Sequence, residues 1–264
     1  MDDFGARTGV ALVTGGSGGL GAAICRLLAA RGSDIVLSYR ANASRAQEVV
    51  GDVLALGRRA HAVPVDLVDD VAARAFVDDA AEEFGGVHTL VHAAGPTVPQ
   101  LHLSRVTPVQ LREAVDHEVG GFFAVAQPAL PHLRISASRA PGLGSGNLVA
   151  VTTAATHRFP VRDGLSAGPK AAIESLVRAL AAEEGRFGVR ANCVGPGMLT
   201  DGMAERLMAS GDLDDAALEV TRRNVALRRF GNAGDVAEAV AFLASDRANF
   251  ISGVRLLVDG GYGI

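Results

Sequence analysis

Apolar residues follow two alternating patterns along the chain. Short, nearly continuous apolar runs predict buried strands, and longer stretches with apolar residues every three or four positions predict amphipathic helices. Seven runs predict strands: VALVT, DIVLSYR, RAHAVPVD, TLVHAAG, NLVAVTT, VRANCVGPG and VRLLVDGG. The helices predicted between them include residues 20–32, 44–56, 70–84, 108–133 and about 169–184. The Ser-, Pro- and Gly-rich stretch 134–146 predicts a loop.

Strands that are apolar throughout and separated by helices need crossover connections, so they favour a parallel sheet with helices on both faces. The predicted fold class is therefore α/β, a three-layer, doubly wound sheet of seven parallel strands. No internal repeat or break in composition marks a domain boundary, so residues 1–264 are predicted to form a single domain. Residues 198–230 are a long irregular stretch that is apolar at its start, and this stretch is a candidate lid.

Composition narrows the function classes. Hydrophobic residues make up 48% of the chain, enough to bury a core, and a net charge of −4 argues against a nucleic-acid surface. No run of 18 apolar residues is present and the first residues are acidic and polar, so neither a membrane span nor export is expected. Cys25 and Cys193 belong to no Cys-x-x-Cys pair, so no disulfide framework or metal site is expected, and a cytoplasmic location is predicted.

The sequence TGGSGGLG, residues 14–21, directly follows the first predicted strand and opens the first helix. Glycines at this place allow a tight turn and a close approach of the backbone, and the free N–H groups of the helix attract a pyrophosphate. The location within a βαβ unit makes this a dinucleotide-binding turn of the Rossmann type. The turn residues predicted to contact the cofactor are Gly15, Ser17, Gly18, Gly19, Leu20 and Gly21.

The end of the second strand indicates which dinucleotide is bound. NAD-selective sites usually carry an acidic residue here for the ribose hydroxyls, but this chain has Tyr39 and Arg40. A guanidinium can pair with a 2′-phosphate, and the ring of Tyr39 can flank the adenine. The sequence therefore favours NADP(H). NAD(H) stays open, because Arg40 can equally be an ordinary surface residue.

With these motifs in this order, the chain resembles the short-chain dehydrogenase/reductase superfamily over nearly its whole length. The closing stretch FLASDRANFISGVRLLVDGG is similar to the 3-oxoacyl carrier-protein reductase branch. The resemblance implies that residues 198–230 cover an apolar small-molecule substrate, a class that includes acyl thioesters. It also implies that the protein is a homodimer or homotetramer. It also implies further cofactor contacts beside the adenine, after the fourth strand and beside the nicotinamide, made by Asp66, Leu67, Ala93, Ala94, Gly95, Pro196 and Gly197.

The catalytic positions depart from this family, whose members use an Asn, a Ser, a Tyr and a Lys, with the Tyr four residues before the Lys. Lys170 matches the lysine, but four residues earlier stands Ser166. Thr153, thirteen residues before Ser166, falls on the family serine, and Glu118 falls on the asparagine. In the family, the lysine lowers the pKa of the tyrosine, which donates a proton to the substrate oxygen. A serine alcohol titrates far above any accessible pH, and its side chain is too short to reach the position of the phenol oxygen.

Three interpretations of these departures remain open. In the first, Thr153 binds the substrate oxygen, Lys170 binds the ribose, and the proton comes from water, His157 or Glu118, although Glu118 is equally suited to a salt bridge with Lys170. In the second, an enoyl thioester is reduced and its enolate collects a proton from water. In the third, the protein is a cofactor-bound cyclase, isomerase or inactive partner subunit. The first is favoured: an NADP(H)-dependent oxidoreductase with a non-standard catalytic set.

Overall fold

A computed structural model describes residues 2–139, 146–201 and 215–264. Seven strands form one sheet in which every neighbouring pair is parallel, which confirms the predicted sheet. The strands are β1 (Val10–Thr14), β2 (Ile35–Tyr39), β3 (Ala60–Pro64), β4 (Val87–His92), β5 (Gly146–Val151), β6 (Val189–Pro196) and β7 (Arg255–Val258). Their order in the sheet is β3-β2-β1-β4-β5-β6-β7. The order reverses between β1 and β4, and ligands of such sheets bind outside this reversal point.

Eight α-helices are described between the strands. They are α1 (Gly19–Ala30), α2 (Ala43–Ala55), α3 (Asp70–Phe84), α4 (Pro108–Val115), α5 (Gly121–Arg139), α6 (Gly164–Glu184), α7 (Asp215–Asn224) and α8 (Ala233–Ala244). One π-helical turn, Asp116–Gly120, joins α4 to α5. None of the helices in the described ranges is long and apolar enough to cross a bilayer.

The sheet separates two apolar cores, because successive side chains of a strand point to opposite faces. Val13 of β1 packs with α1, α2 and α8 on one face, whereas Leu12 packs with α3, α5 and α6 on the other. Both faces of the central strands are buried, which explains why their sequences are apolar throughout. The result is the predicted three-layer, doubly wound Rossmann arrangement.

Several predicted boundaries were wrong: the helix predicted over 108–133 is interrupted by the π-helical turn Asp116–Gly120, and the largest errors concern the end of α5 and the start of α6. Residues 134–139 were predicted as loop, but α5 continues to Arg139, because Ser136 and Ala137 are buried and the Ser136 hydroxyl donates to the Val87 carbonyl at 2.8 Å. The helix predicted from about Pro169 begins at Gly164 instead, so that Pro169 lies inside α6. This earlier start places Ser166 on the helix.

Cys25 and Cys193 are free thiols in the interior. Burial raises the pKa of each thiol to about 12, so both stay protonated at neutral pH.

The segment 198–230, which is predicted to cover the substrate, is described only in part. Residues 202–214 lie outside the described residues, including the apolar residues Met203, Leu207 and Met208.

Candidate functional site

The glycine turn fits a pyrophosphate. Gly15 has a φ of +67°, and a Cβ at this position would lie 2.8 Å from the Cα of Ala94. A Cβ at Gly21 would lie 2.3 Å from the carbonyl oxygen of Gly15, so neither position tolerates a side chain without movement. Gly18 precedes α1 and supplies no side-chain cap, which leaves the N–H groups of the first turn free for an anion. The other predicted turn residues, Ser17, Gly19 and Leu20, lie at this same helix start.

The end of β2 is hydrogen-bonded to this turn. The Gly16 amide donates to the Ser38 carbonyl at 2.9 Å, and the Gly15 amide lies 3.4 Å from the Ser38 hydroxyl. Tyr39 and Arg40 follow directly, so both lie beside the glycine turn. The Arg40 side chain is exposed and forms no ion pair within the described part of the chain. Among the described residues this cation has no ion-pair partner, so it is available beside the turn.

A histidine–threonine pair connects β1 to the end of β4. The Thr14 hydroxyl lies 3.0 Å from His92 Nδ1 and within 3.4 Å of the amide nitrogens of Ala93 and Ala94. His92 is only 1% exposed, and burial, with a smaller contribution from the Lys170 charge, lowers its pKa to about 3. The imidazole is therefore neutral at neutral pH. It positions the Thr14 hydroxyl, which accepts from the amides of Ala93 and Ala94 in the predicted cofactor segment, and the sequence did not reveal this role of His92.

The other predicted cofactor residues also follow the carboxyl ends of strands. Asp66 and Leu67 come after β3. Asp66 is exposed, whereas Leu67 packs against Gly121, where an added Cβ would lie 3.2 Å from the Cβ of Leu67. Pro196 ends β6, and a Cβ on Gly197 would lie 2.8 Å from the Cα of Asp259. Because the carboxyl ends of parallel strands lie at one edge of the sheet, these residues lie at the same edge as the glycine turn.

Glu118 and Lys170 form an ion pair beside Gly95, next to the crevice at the carboxyl edge of the sheet, which is called the cleft below. The π-helical turn directs Glu118 inward, where it is 2% exposed, and its Oε1 accepts a short hydrogen bond from Lys170 Nζ. The carboxylate also touches the cofactor segment, since a Cβ on Gly95 would lie 3.0 Å from Oε1. Burial raises the pKa of Glu118, and the charge of Lys170 opposes that rise. The salt bridge, one of the two roles expected for Glu118, is confirmed.

The start of α6 carries the positions where the catalytic tyrosine was expected. Asp163, Ser166 and Lys170 stand three and four residues apart, a spacing that puts all three on one side of the helix. Ser166 is 9% exposed, and no hydrogen bond of its hydroxyl is found within the described ranges. The helix begins with this face toward the cleft that holds Glu118.

Thr153 follows β5, and its hydroxyl accepts a hydrogen bond from the Ala155 amide at 3.2 Å. This hydrogen bond begins the single helical turn Ala154–Thr156. Glu174 joins the turn to α6, because Oε1 of Glu174 accepts from Thr156 Oγ1 at 2.8 Å and from Thr152 Oγ1 at 2.9 Å. The two bonds set Thr153 beside α6.

His157, the candidate acid, is exposed and has its main contact on the other side of this turn. Its Nδ1 lies 3.3 Å from Arg255 Nη2 on β7, and a Cβ on Gly263 would lie 2.9 Å from its Cδ2. Arg255 also donates to Glu174 Oε2 at 2.8 Å. No contact joins His157 to Lys170 or Ser166 within the described residues, so its proposed role receives no geometric support.

Asp163 is a residue that the sequence analysis did not single out. It stands seven residues before Lys170, and the structure brings it into a partly buried position near that lysine. Gln100 Nε2 donates to Asp163 Oδ1 at 3.5 Å from the loop that follows β4. The spacing of three and seven residues from Ser166 and Lys170 was the available signal, but it required knowing that α6 begins before Pro169.

Comparisons with known proteins find similarity to oxidoreductases over nearly the whole chain. A protein-family profile described as "Enoyl-(Acyl carrier protein) reductase" matches residues 15–263. A cis-4-hydroxycyclohexanecarboxylate dehydrogenase of Sinomonas cyclohexanicum is 33% identical over 253 residues, 96% of both chains. A 3-oxoacyl-(acyl-carrier-protein) reductase of Staphylococcus epidermidis is 30% identical over 251 residues, 95% of this chain and 97% of that one.

Solved structures show the same fold. A short-chain dehydrogenase from Burkholderia cenocepacia in complex with NADP is 35% identical and superposes with a TM-score of 0.86, covering 98% of this chain and 100% of that one. A short-chain dehydrogenase/reductase from Serratia marcescens, 28% identical, also gives 0.86, with 98% and 100% coverage. The glycine turn, the sheet order and these matches lead to one conclusion: the chain belongs to the short-chain dehydrogenase/reductase family of oxidoreductases.

Proposed function

We propose that the protein is an NADP(H)-dependent reductase of an apolar carbonyl or acyl-thioester substrate, with a catalytic set that lacks the family tyrosine. The observation that carries the proposal is the Lys170–Glu118 pair beside Gly95. A buried carboxylate at the bottom of the dinucleotide cleft holds the ammonium group there. A purely structural protein has little reason to bury this pair, because buried ion pairs rarely stabilise a fold on balance.

The cofactor preference is proposed from the residues beside the glycine turn. Gly15 and Gly21 admit the pyrophosphate against the start of α1, Arg40 pairs with a 2′-phosphate, and Tyr39 flanks the adenine. The NADP complex of the Burkholderia cenocepacia relative supports this preference. When bound, the reduced nicotinamide supplies a hydride. NAD(H) is the alternative, and comparison of the two dissociation constants decides between them.

The chain's own residues divide the remaining tasks. Thr153 donates its hydroxyl hydrogen to the substrate oxygen, and Lys170, held by Glu118, donates to the ribose. Ser166 lines the volume that the family tyrosine would fill, but its alcohol does not supply the proton that the substrate oxygen needs. The proton donor is therefore a different group from the one that the family uses.

Two substrate classes are supported. The relatives named above act on a cyclic hydroxy acid and, by name, on 3-oxoacyl carrier-protein thioesters, which favours ketone reduction. Enoyl-thioester reduction is the second candidate, favoured by the description of the matching family and by the missing tyrosine, since an enolate can take its proton from water. A cofactor-bound protein without redox turnover is the outcome if neither class is reduced.

A homodimer or homotetramer is proposed for the assembly. Several large apolar side chains of α4 and α5 are exposed in the single chain, and helix faces of this kind are commonly covered in oligomers. They are Val109, Leu111, Val115, Phe123 and Ile135. Light scattering on the purified protein gives the mass of the assembly, and a monomer at micromolar concentration would contradict the proposal.

The test of function is NADPH oxidation by the purified protein with acetoacetyl-CoA, crotonyl-CoA, ethyl acetoacetate and 4-oxocyclohexanecarboxylate. We expect turnover with at least one of these, and a Thr153→Val variant to lose about 10²-fold or more in kcat, as when a single oxyanion donor is removed. Thr153→Ser, which keeps the hydroxyl and the hydrogen bond to the Ala155 amide, is the matched control. Tight NADPH binding without turnover on any substrate would favour the non-redox alternative.

A further inference from the structure

The carboxyl group of Asp163 has an arrangement that the helix start does not explain. Asp163 occupies the N-cap position of α6, where an aspartate normally accepts a hydrogen bond from an amide of the first turn. Its side chain makes no such bond. Only its backbone carbonyl does, accepting from the amides of Ser166 at 3.1 Å and Ala167 at 2.8 Å. The carboxyl group therefore does not cap the helix, and its contact with a side chain is the 3.5 Å hydrogen bond from Gln100 Nε2.

This carboxyl group shares one side of α6 with Ser166 and Lys170. The groups that face it are the Lys170 ammonium from α6, the Gln100 amide from the loop after β4 and, through Lys170, the Glu118 carboxylate. Burial raises the pKa of Asp163, while the Gln100 hydrogen bond and the Lys170 charge oppose the rise. The acid thus holds its proton to a higher pH than an exposed aspartate does.

The turn before Asp163 is strained in a way that supports a functional position. Arg162 has a φ of +74°, in the left-handed region that a non-glycine residue adopts at a cost of about 1–3 kcal/mol. The Asp163 amide nitrogen lies 3.4 Å from the Pro160 carbonyl oxygen across this turn. Strain of this kind persists where the surrounding structure requires it, and here it fixes the entry of the chain into α6.

The two acids named from the sequence are less well placed to supply protons repeatedly. Glu118 is 2% exposed and accepts a hydrogen bond from Lys170, so its carboxylate is shielded from solvent. His157 is exposed but contacts Arg255 on β7. Asp163 combines a place beside Ser166 with partial exposure, which lets it regain a proton from solvent after each turnover.

We propose that Asp163 is the proton donor of the reduction, acting through one water molecule in the volume that a tyrosine side chain would fill at position 166. The inference rests on the proposed reductase function. The carbonyl carbon gains the hydride, the electron pair of the C=O bond moves to oxygen, and oxygen binds a proton from the water. That water takes the Asp163 proton, and the carboxylate is reprotonated from solvent.

The first experiment compares Asp163→Asn with Glu183→Gln, which removes an exposed carboxylate from the far end of the same helix. We expect Asp163→Asn to lower kcat by about 10²–10⁴-fold, the usual contribution of a general acid, with an unchanged Kd for NADPH. Glu183→Gln should match the wild type. Since the donor must be protonated, wild-type kcat should fall as pH rises through the raised pKa of Asp163, and Asp163→Asn should lack this limb.

The second experiment restores a donor from another position. Ser166→Tyr in the Asp163→Asn background returns a phenol four residues before Lys170, and we expect kcat to recover by about 10-fold or more, within the range of a general acid. The high-pH limb should then move upward, toward the titration of a phenol. If recovery is absent while NADPH still binds, the missing proton is not what limits Asp163→Asn, and the proposal is overturned.

The third measurement needs no turnover. Carbon-13 NMR of carboxyl-labelled aspartate, with the Asp163 signal assigned by its loss in Asp163→Asn, gives the titration directly. We expect a pKa above the ordinary value of 3.8, and a pKa at or below that value overturns the proposal.

The kinetic results separate failure of the donor role from failure of the reductase function. If the wild type turns over and Asp163→Asn keeps its kcat, or changes only KM, Asp163 is not the donor although the reductase function holds. If the wild type itself reduces no substrate, the reductase function fails first.

Discussion

Removal of the Lys170 charge should destabilise the fold through Glu118. Lys170→Met keeps most of the side-chain length but leaves a carboxylate that is 2% exposed without its cation. Breaking a buried pair in this way costs about 3–5 kcal/mol. In the variant Glu118 can escape this cost by binding a proton. The free-energy cost of that protonation at pH 7 is about 1.36 kcal/mol for each unit by which the pH exceeds the pKa of Glu118, so protonation sets an upper limit to the loss. We therefore expect the free energy of unfolding to drop by about 3–4 kcal/mol at pH 7, within the range for broken pairs.

Urea unfolding of four proteins measures this effect: the wild type, Lys170→Met, Glu118→Gln and the double variant. Glu118→Gln should cost less, about 1–3 kcal/mol, because the Lys170 side chain is 15% exposed and its ammonium can reach water. The double variant removes both charges, so its loss should be smaller than the sum of the single losses by about 0.5–3 kcal/mol. Equal m-values are required for this comparison.

The pH dependence gives the decisive result. Because burial raises the pKa of Glu118 in the folded state, the folded protein binds this proton more tightly than the unfolded chain. Stability from this group is therefore greatest at low pH and falls as pH rises from the ordinary value of 4.5 through the raised pKa. Without Lys170 the pKa rises further, so the difference between Lys170→Met and the wild type should widen toward neutral pH. A difference that stays constant from pH 4.5 to 8 would refute the reasoning.

Three further predictions concern the cofactor turn and the β7 contact. Arg40→Ala should weaken NADPH binding by about 10–100-fold, as for one lost charged hydrogen bond, and leave NADH binding unchanged by calorimetry. Gly21→Ala should lower the free energy of unfolding by about 1–3 kcal/mol, because its Cβ meets the Gly15 carbonyl at 2.3 Å; Gly51→Ala, which meets nothing within 4 Å, should not destabilise the protein. Glu174→Gln should lower the free energy of unfolding in urea by about 1.5–3 kcal/mol, the contribution of a hydrogen bond to a charged group, since Arg255 loses its charged partner.

The sequence predicted the fold well for a clear physical reason. A strand of a parallel sheet is covered on both faces, so it must be apolar at nearly every position, and short apolar runs bounded by glycine or polar residues therefore predict such strands. The β1 prediction, Val10–Thr14, agrees with the structure at both ends, as does α3, Asp70–Phe84. The start of α6 was misplaced because proline favours the first turn of a helix, whereas here burial of Leu165 and Ala167 extends the helix before Pro169.

One signal in the composition was overlooked. The chain has 25 Lys and Arg residues, and Lys170 is the only lysine among them. A compact ammonium differs from a planar guanidinium in size and hydrogen-bond geometry, so a single lysine in an arginine-rich chain marks a position where the ammonium is needed. The structure supports this, since Lys170 is the partner of a buried glutamate in the cleft.

The parallel sheet, its two covered faces and the glycine turn can be deduced from the amino-acid sequence, because each depends on local periodicity or on neighbouring residues. Which side chains share the cleft follows from the folded chain alone. Glu118 and Lys170 meet across 52 positions because a π-helical turn directs one inward and the early start of α6 presents the other. Asp163 was placed in the same way, by a left-handed residue at Arg162 that no periodicity predicts. Contacts between distant segments follow from packing, and packing is fixed only when the whole fold forms.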